Sequence, residues 1–152
     1  MSGVKCLAFL LCLGACDLSD PPPDDRPQTL EFITEAILKP SCGTAECHSA
    51  FKKQSTDVFD SVEGARGSFD RNPSLVVDCA HVLDAAGNPN PQPNGCVQAV
   101  QQSYLVQVID PKQGTIEGNV MPYDQALSNS DYILISDWIT NGAHGYTVKD
   151  AP

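Results

Sequence analysis

"LSNSDYILISDWITNG", residues 127–142, is the part of the chain that most clearly indicates the fold class. Ser128 and Asp131 have the spacing of a capping box, and Leu127 stands before the cap as a candidate hydrophobic staple. Asn141-Gly142 follows as a stop signal. Between these signals the large apolar residues share one broad face at helical spacing: Tyr132, Leu134, Ile135, Trp138 and Ile139. The stretch therefore predicts an amphipathic helix at the end of the domain.

A second amphipathic helix is predicted at the start of the domain, in "TLEFITEAILKP", residues 29–40. Thr29 is a candidate N-cap, and Glu31 lies in the first turn, where it suits the helix dipole. Pro40 is expected to end the helix. The apolar residues fall on one face: Leu30, Ile33, Ile37 and Leu38. A domain that opens and closes with such helices is expected to be all-α.

The middle of the chain gives weaker signals. Residues 57–66, "DVFDSVEGAR", predict a short helix, and residues 74–77, "SLVV", a short extended run. From Val97 a helical stripe is formed by Val97, Val100, Tyr104 and Val108. The β-branched density of "YLVQVI", residues 104–109, leaves a strand open as an alternative. No strand pairing is strongly encoded, which is consistent with an all-α fold.

The first 28 residues predict an envelope protein. Lys5 is followed by "CLAFLLCLGA", an apolar run too short to span a bilayer and typical of a signal peptide. It ends in Leu13-Gly14-Ala15-Cys16, which resembles a bacterial lipobox. We expect residues 1–15 to be cleaved, Cys16 to carry lipid, and residues 16–28 to form a proline-rich tether. Residues 29–152 would then be one domain in the bacterial cell envelope, anchored on the periplasmic or outer surface.

The charge balance restricts the partners. Nine basic residues face 19 acidic ones, and the net charge is −10. A polyphosphate such as nucleic acid is therefore a poor partner, and a basic protein or no partner at all is easier to accept. The acidic bias could equally serve solubility.

Cys42, Cys47 and His48 lie close together in "CGTAECH", residues 42–48. Three interpretations are open: a Cys42–Cys47 disulfide beside an idle histidine, three ligands of a zinc ion, or two covalent anchors and an axial ligand for haem. A zinc ion would need a fourth ligand or a water, and no fourth ligand stands out. The usual haem anchor is C-x-x-C-H; here the spacer has four residues, and small Gly43 and Thr44 could let it bulge.

Two other cysteines flank a loop rich in turn formers. Cys79 and Cys96 would close that loop if they were joined, and a disulfide around a loop of this size stabilises by about 3 kcal/mol in the chain-entropy account. In an oxidising compartment this pairing is the expected one, and we interpret it as structural.

The order of these elements resembles that of a monohaem c-type cytochrome domain. The matching stretches are "LEFITEAILKPSC", "CGTAECH", "SYLVQVI", "NVMPYDQALS" and "DYILISDWITNGA", which together span residues 29–143. The resemblance implies a small helical domain whose terminal helices cross and pack beside the haem. It also implies a set of roles: Cys42 and Cys47 as thioether anchors, His48 as the proximal and Met121 as the distal iron ligand, and Tyr104 and Trp138 as pocket walls.

The function implied by the resemblance is electron carriage by a membrane-anchored cytochrome with covalent haem c, serving a redox partner protein that could be basic. His81 is the rival of Met121 as distal ligand, and His/His ligation would give a lower potential than His/Met. Two other classes stay open: a haem-free, disulfide-stabilised binding or structural lipoprotein, and a haem accessory domain of a dehydrogenase or peroxidase.

Overall fold

The structure, a computed structural model, describes residues 24–90, 97–110, 112, 120–123 and 125–146. Within these ranges the regular elements are helices, and the one β-bridge, between Leu83 and Pro89, is isolated. The all-α prediction is confirmed for this part of the chain. The elements are α1 (Leu30–Ile33), a π-helical turn (Thr34–Leu38), α2 (Lys39–Ser41), a 3-10 turn (Gln54–Thr56), α3 (Val62–Arg71), α4 (Val97–Gln102), α5 (Tyr104–Ile109) and α6 (Asn129–Thr140).

The first three elements run on without a break and form one N-terminal helix, residues 30–41. Thr29 caps it as predicted, since its hydroxyl oxygen accepts a 3.2 Å hydrogen bond from the Phe32 N–H. The helix ends one residue after Pro40. The N–H groups of Cys42 and Gly43 both donate to the Leu38 carbonyl, at 2.7 and 2.8 Å, and this closes the last turn just before the cysteine motif.

Helix α6 confirms the prediction from its sequence. The Ser128 hydroxyl accepts a 3.1 Å hydrogen bond from the Asp131 N–H at the start of the helix. Gly142 follows the C-cap with φ +94°, a left-handed conformation that favours glycine. Trp138 and Ile139 are fully buried, so the predicted apolar face does point into the core.

Helix α3 differs from the prediction of residues 57–66. It begins at Val62, because the Ser61 hydroxyl accepts a 3.2 Å hydrogen bond from the Gly64 N–H and caps the helix there. Residues 57–59 precede the helix and are buried, but they are not helical. The Val58 N–H donates a 2.7 Å bond to the Ser68 hydroxyl, which ties this segment across the face of α3.

A break at Ser103 separates α4 from α5, so the stripe predicted from Val97 is not continuous. The Ser103 hydroxyl donates to the Ala99 carbonyl (2.7 Å) and accepts from the Val77 N–H (2.9 Å). Val97 and Tyr104 are exposed, so the predicted stripe does not face the core. The residues that α5 buries are Leu105, Val106 and Ile109.

Residues 74–77, predicted to be extended, form no strand. Instead the carbonyls of Ser74 and Leu75 accept the N–H groups of Tyr104 and Leu105, at 2.8 and 3.0 Å. These N–H groups belong to the first turn of α5 and have no partner inside their own helix. The segment thus acts as a cap for α5.

One hydrophobic core joins the helices. α6 packs against α4 and α5, and α3 packs against the π-helical turn of the N-terminal helix. The two ends of the domain also meet directly, because the Leu30 N–H donates a 2.9 Å bond to the His144 carbonyl. Among the described residues, no helix is both long and apolar enough to cross a bilayer.

Candidate cofactor site

A cavity of about 760 Å³ lies where the cysteine motif, α5 and the loop before α6 meet. Its volume falls within the roughly 300–1,000 Å³ typical of cofactor and small-ligand sites. Its wall brings together five of the predicted site residues: Cys42, Cys47, His48, Tyr104 and Met121. These residues come from three separate segments of the chain, which converge on one space.

Both thiols of the motif are free in this structure. Cys42 is only 7 % exposed, and this burial, together with the nearby Cys47, raises the pKa of its thiol to about 12. Burial has this effect because it disfavours the charged thiolate. Cys42 is therefore a neutral thiol at physiological pH.

The loop between the two cysteines is closed by a hydrogen bond of 3.0 Å from the His48 N–H to the Cys42 carbonyl. Gly43 is buried, and a Cβ atom on it would lie 2.6 Å from the Phe59 carbonyl oxygen. The role of Gly43 is thus to let two backbone segments approach closely. Exposed Thr44, Ala45 and Glu46 form the outer part of the loop and take up the longer spacer.

His48 is held on both sides by backbone contacts. Its carbonyl accepts a 2.6 Å hydrogen bond from the Phe59 N–H, and its ring lies 5.2 Å from the Phe59 ring, centroid to centroid. Its Nδ1 atom is buried without a hydrogen-bond partner among the described residues. A buried ring nitrogen of this kind calls for a partner beyond the described residues.

Met121 reaches the cavity from the loop that follows α5. Its N–H donates a 2.8 Å hydrogen bond to the Val108 carbonyl, which fixes the loop to the end of that helix. Its side chain is partly buried and lines the cavity. Tyr104, which is exposed over part of its surface, lines the same cavity from α5.

Trp138 and His81 do not line the cavity. Trp138 lies behind the wall: Phe59 is a lining residue, Phe69 packs on Phe59 at 6.0 Å, and Trp138 packs on Phe69 at 6.4 Å. The tryptophan Nε1–H donates to the His144 carbonyl at 3.0 Å. The expected wall position of Trp138 is thus taken by Phe59. In His81, the rival ligand, the ring Nδ1 lies 2.6 Å from a carboxylate oxygen of Asp78.

Asp57 is a lining residue that the sequence did not single out. It is buried, and burial raises the pKa of its carboxyl, while His48 and Arg71 act in the opposite direction. No short motif marks it. Asp57 and Phe59 come to the wall only because the 57–59 segment is tied to α3 and to His48 by tertiary hydrogen bonds.

A haem fits these residues on three observations: the cavity volume, two free thiols in one wall, and the imidazole of His48 in the same wall. A haem iron needs only two axial ligands from the protein. In the described part of the chain, no group of three or more His, Cys, Asp and Glu side chains is placed to hold a bare metal ion. The zinc interpretation therefore gains no support.

The remaining predicted sites lie wholly or partly outside the described residues. The signal peptide, residues 1–15, and the lipid-bearing Cys16 are outside them, as is Cys96. Cys79 is disulfide-bonded, and its pairing with Cys96 stays a prediction. The Cys79 sulfur lies 3.6 Å from the Thr140 carbonyl oxygen, so this cysteine sits against the end of α6.

No family model matches the chain, and neither the curated proteins nor the solved structures compared with it gave a match. The cytochrome resemblance consequently depends on the motif residues and their convergence in one cavity.

Proposed function

We propose that this protein is a membrane-anchored, monohaem c-type cytochrome that carries single electrons. One observation carries the proposal: Cys42, Cys47, His48 and Met121, which are separated by up to 79 positions in the sequence, line one cavity of about 760 Å³. Chance would seldom bring two free thiols, an imidazole and a scarce thioether to the same wall, since the chain has only two methionines.

Each side chain has a distinct role in this proposal. Cys42 and Cys47 would hold a haem covalently through thioether bonds to their sulfur atoms. His48 and Met121 would supply the two ligands of its iron. When bound, the haem supplies an iron that gains or loses one electron. A thioether in the distal position raises the iron potential relative to a second imidazole.

The chain's own backbone contributes orientation. His48 is braced between the Cys42 carbonyl and the Phe59 N–H, at 3.0 and 2.6 Å. The Met121 loop is fixed to Val108 at 2.8 Å. Both ligand-bearing segments are therefore held by main-chain bonds, which favours a site that keeps its geometry in both oxidation states.

The cellular setting follows from the N-terminal sequence and the charge. A lipid on Cys16 would hold the domain at a membrane of the bacterial cell envelope. The net charge of −10 would steer a basic redox protein toward the domain and would make the association rate sensitive to salt. Encounters between electron carriers are small and short-lived, so they need no large apolar docking surface.

The test is to express the full chain in bacteria that attach haem to proteins, and to purify it from membranes. We expect a reduced-minus-oxidised absorption spectrum of a c-type haem, and haem that stays with the polypeptide on a denaturing gel. The control is the double variant Cys42→Ala/Cys47→Ala, which should lose the covalent haem.

A colourless wild-type protein in which Cys42 is joined to Cys47 would overturn the proposal in favour of a haem-free lipoprotein. A coloured protein that turns over peroxide rapidly would instead indicate an accessory domain with an open distal position.

A further inference from the structure

The segment that leads into the domain is bound along α6. Arg26 pairs with Asp24 through two nearly parallel hydrogen bonds (2.9 and 2.7 Å) and reaches Asp131, in the first turn of α6, at 2.5 Å. At the other end of the helix, Gln28 accepts a 2.7 Å bond from the Asn141 side chain. The segment therefore follows α6 back toward its N-terminus, where Arg26 holds it.

Arg26 is held at the cavity itself. Asp131 is one of the residues that line the cavity, and so is Ser128, whose hydroxyl donates a 2.7 Å bond to the same carboxylate. Arg26 thus pairs with an anion on the cavity wall, and its two carboxylate partners raise the pKa of its guanidinium further above the usual value. The tether joins the domain beside the opening of the cofactor site.

The distance from this point to the proposed lipid is short. Seven residues lie between Cys16 and Asp24, and the eight Cα-to-Cα steps of a fully extended chain between them span at most about 29 Å. A folded domain of about 120 residues is roughly 35 Å across. Because the tether is shorter than the domain is wide, the side of the domain that carries Arg26 has to stay close to the membrane.

We propose that the Arg26–Asp131 ion pair is a positioning contact that keeps the mouth of the cavity turned toward the membrane, and that the redox partner is a protein embedded in that same membrane. This inference rests on the proposed function. Two features of the cavity lining fit such a partner. Tyr123 is 67 % exposed and offers an aromatic contact, while the exposed carboxylate of Glu46 would attract a basic surface.

The test measures how the membrane shields two introduced cysteines from a 5 kDa maleimide polymer. The lipidated, haem-loaded protein is reconstituted in phosphatidylcholine vesicles, so that Cys42 and Cys47 are already consumed. One variant is Gln125→Cys, at an exposed lining position, and its control is Ala86→Cys, which is exposed and does not line the cavity. The rate of the maleimide reaction of each variant in vesicles is divided by its rate in detergent.

We expect the vesicles to slow the reaction at position 125 several-fold and the reaction at position 86 less than two-fold. Adding Arg26→Gln should bring the rate at position 125 back toward its detergent value. Inserting fifteen Gly/Ser residues after Asp20 should do the same without altering the domain. An unchanged absorption spectrum reports that the haem site of each variant is intact.

Equal shielding at both positions, or shielding at position 125 that persists with Arg26→Gln and with the insertion, would overturn the orientation. A protein that does not co-float with vesicles in a density gradient would also overturn the orientation. The haem proposal would then be tested by the absorption spectrum alone. Conversely, a wild-type protein without haem would refute electron carriage, while strong shielding at position 125 in a Cys42→Ala/Cys47→Ala background would keep the orientation.

Discussion

The backbone N–H of Met121 donates a hydrogen bond of 2.8 Å to the carbonyl of Val108 in α5. This bond couples the loop that carries the proposed distal ligand to the helix that carries Tyr104, on the same cavity. The backbone of Met121 is therefore fixed relative to α5.

In the proposed haem protein, replacing Met121 with alanine should lower the reduction potential, because the proposed thioether ligand is lost. Axial ligands tune haem potentials over about 0.8 V, and we expect a fall on the order of 0.1 V. Potentiometric titration followed by visible absorption measures this change. The matched control is His81→Ala, since His81 does not line the cavity; a large shift in this variant with none in Met121→Ala would make His81 the ligand instead.

Replacing Gly43 with alanine should destabilise the domain by about 1–3 kcal/mol. The new Cβ would lie 2.6 Å from the Phe59 carbonyl oxygen and 2.8 Å from the Asp60 Cα, and backbone atoms cannot move aside cheaply. Urea unfolding of both proteins measures the difference.

The control for Gly43 is Gly67→Ala, inside α3. There the nearest atom to a new Cβ is the end of the Arg71 side chain, at 3.3 Å, which can shift. Alanine also favours the helix by up to about 1 kcal/mol. We therefore expect Gly67→Ala to be neutral or stabilising, and an equal loss in both variants would contradict the packing argument.

Local sequence signals were sufficient where both partners lie within one turn. Thr29 and Ser128 cap their helices through N–H groups only three residues away, and both were predicted correctly. The end of α4 was not predictable in the same way. The helix breaks at Ser103, whose hydroxyl is bonded to Val77, 26 positions earlier. A local stretch of sequence of the length of one helix does not contain both residues.

The residues of the candidate site also differ in whether local sequence could predict them. Its motif residues could be predicted because their chemistry is unusual and their spacing is short, as for Cys42, Cys47 and His48. Its walls could not. Phe59 lines the cavity because its N–H bonds His48 and because Val58 bonds Ser68, whereas Trp138 lies two aromatic rings further back. Which aromatic residue forms the wall is decided by long-range packing.

Replacing Ser68 with alanine should destabilise the protein by about 1–3 kcal/mol, since the buried Val58 N–H would lose its acceptor. The same change should loosen the 57–59 segment that forms part of the cavity wall. Thermal unfolding followed by circular dichroism measures the effect as a fall in Tm of several degrees.

The control for Ser68 is Ser136→Ala in α6. The Ser136 hydroxyl donates to the Tyr132 carbonyl of its own helix, at 2.9 Å, and caps no buried N–H. Its removal should change Tm little. Comparable falls for the two variants would mean that the Val58 bond is not what stabilises the wall.

Burial of the Cys42 thiol should make the haem-free protein less stable at alkaline pH. Its pKa rises from 9.0 to about 12 on folding, so the folded state keeps a proton that the unfolded chain releases above pH 9. This contribution is complete below pH 9 and is lost as the pH rises toward 12. Between pH 8 and pH 10 we expect a loss of about 1 kcal/mol, measured by urea unfolding under reducing conditions.

In Cys42→Ala this loss should disappear, because the titrating group is gone. Tyr146, whose pKa is also raised to about 12 from 10.0, adds a smaller loss near pH 10 that wild type and Cys42→Ala share, so it cancels in their comparison. An identical alkaline slope in wild type and Cys42→Ala would show that the thiol is not the group responsible.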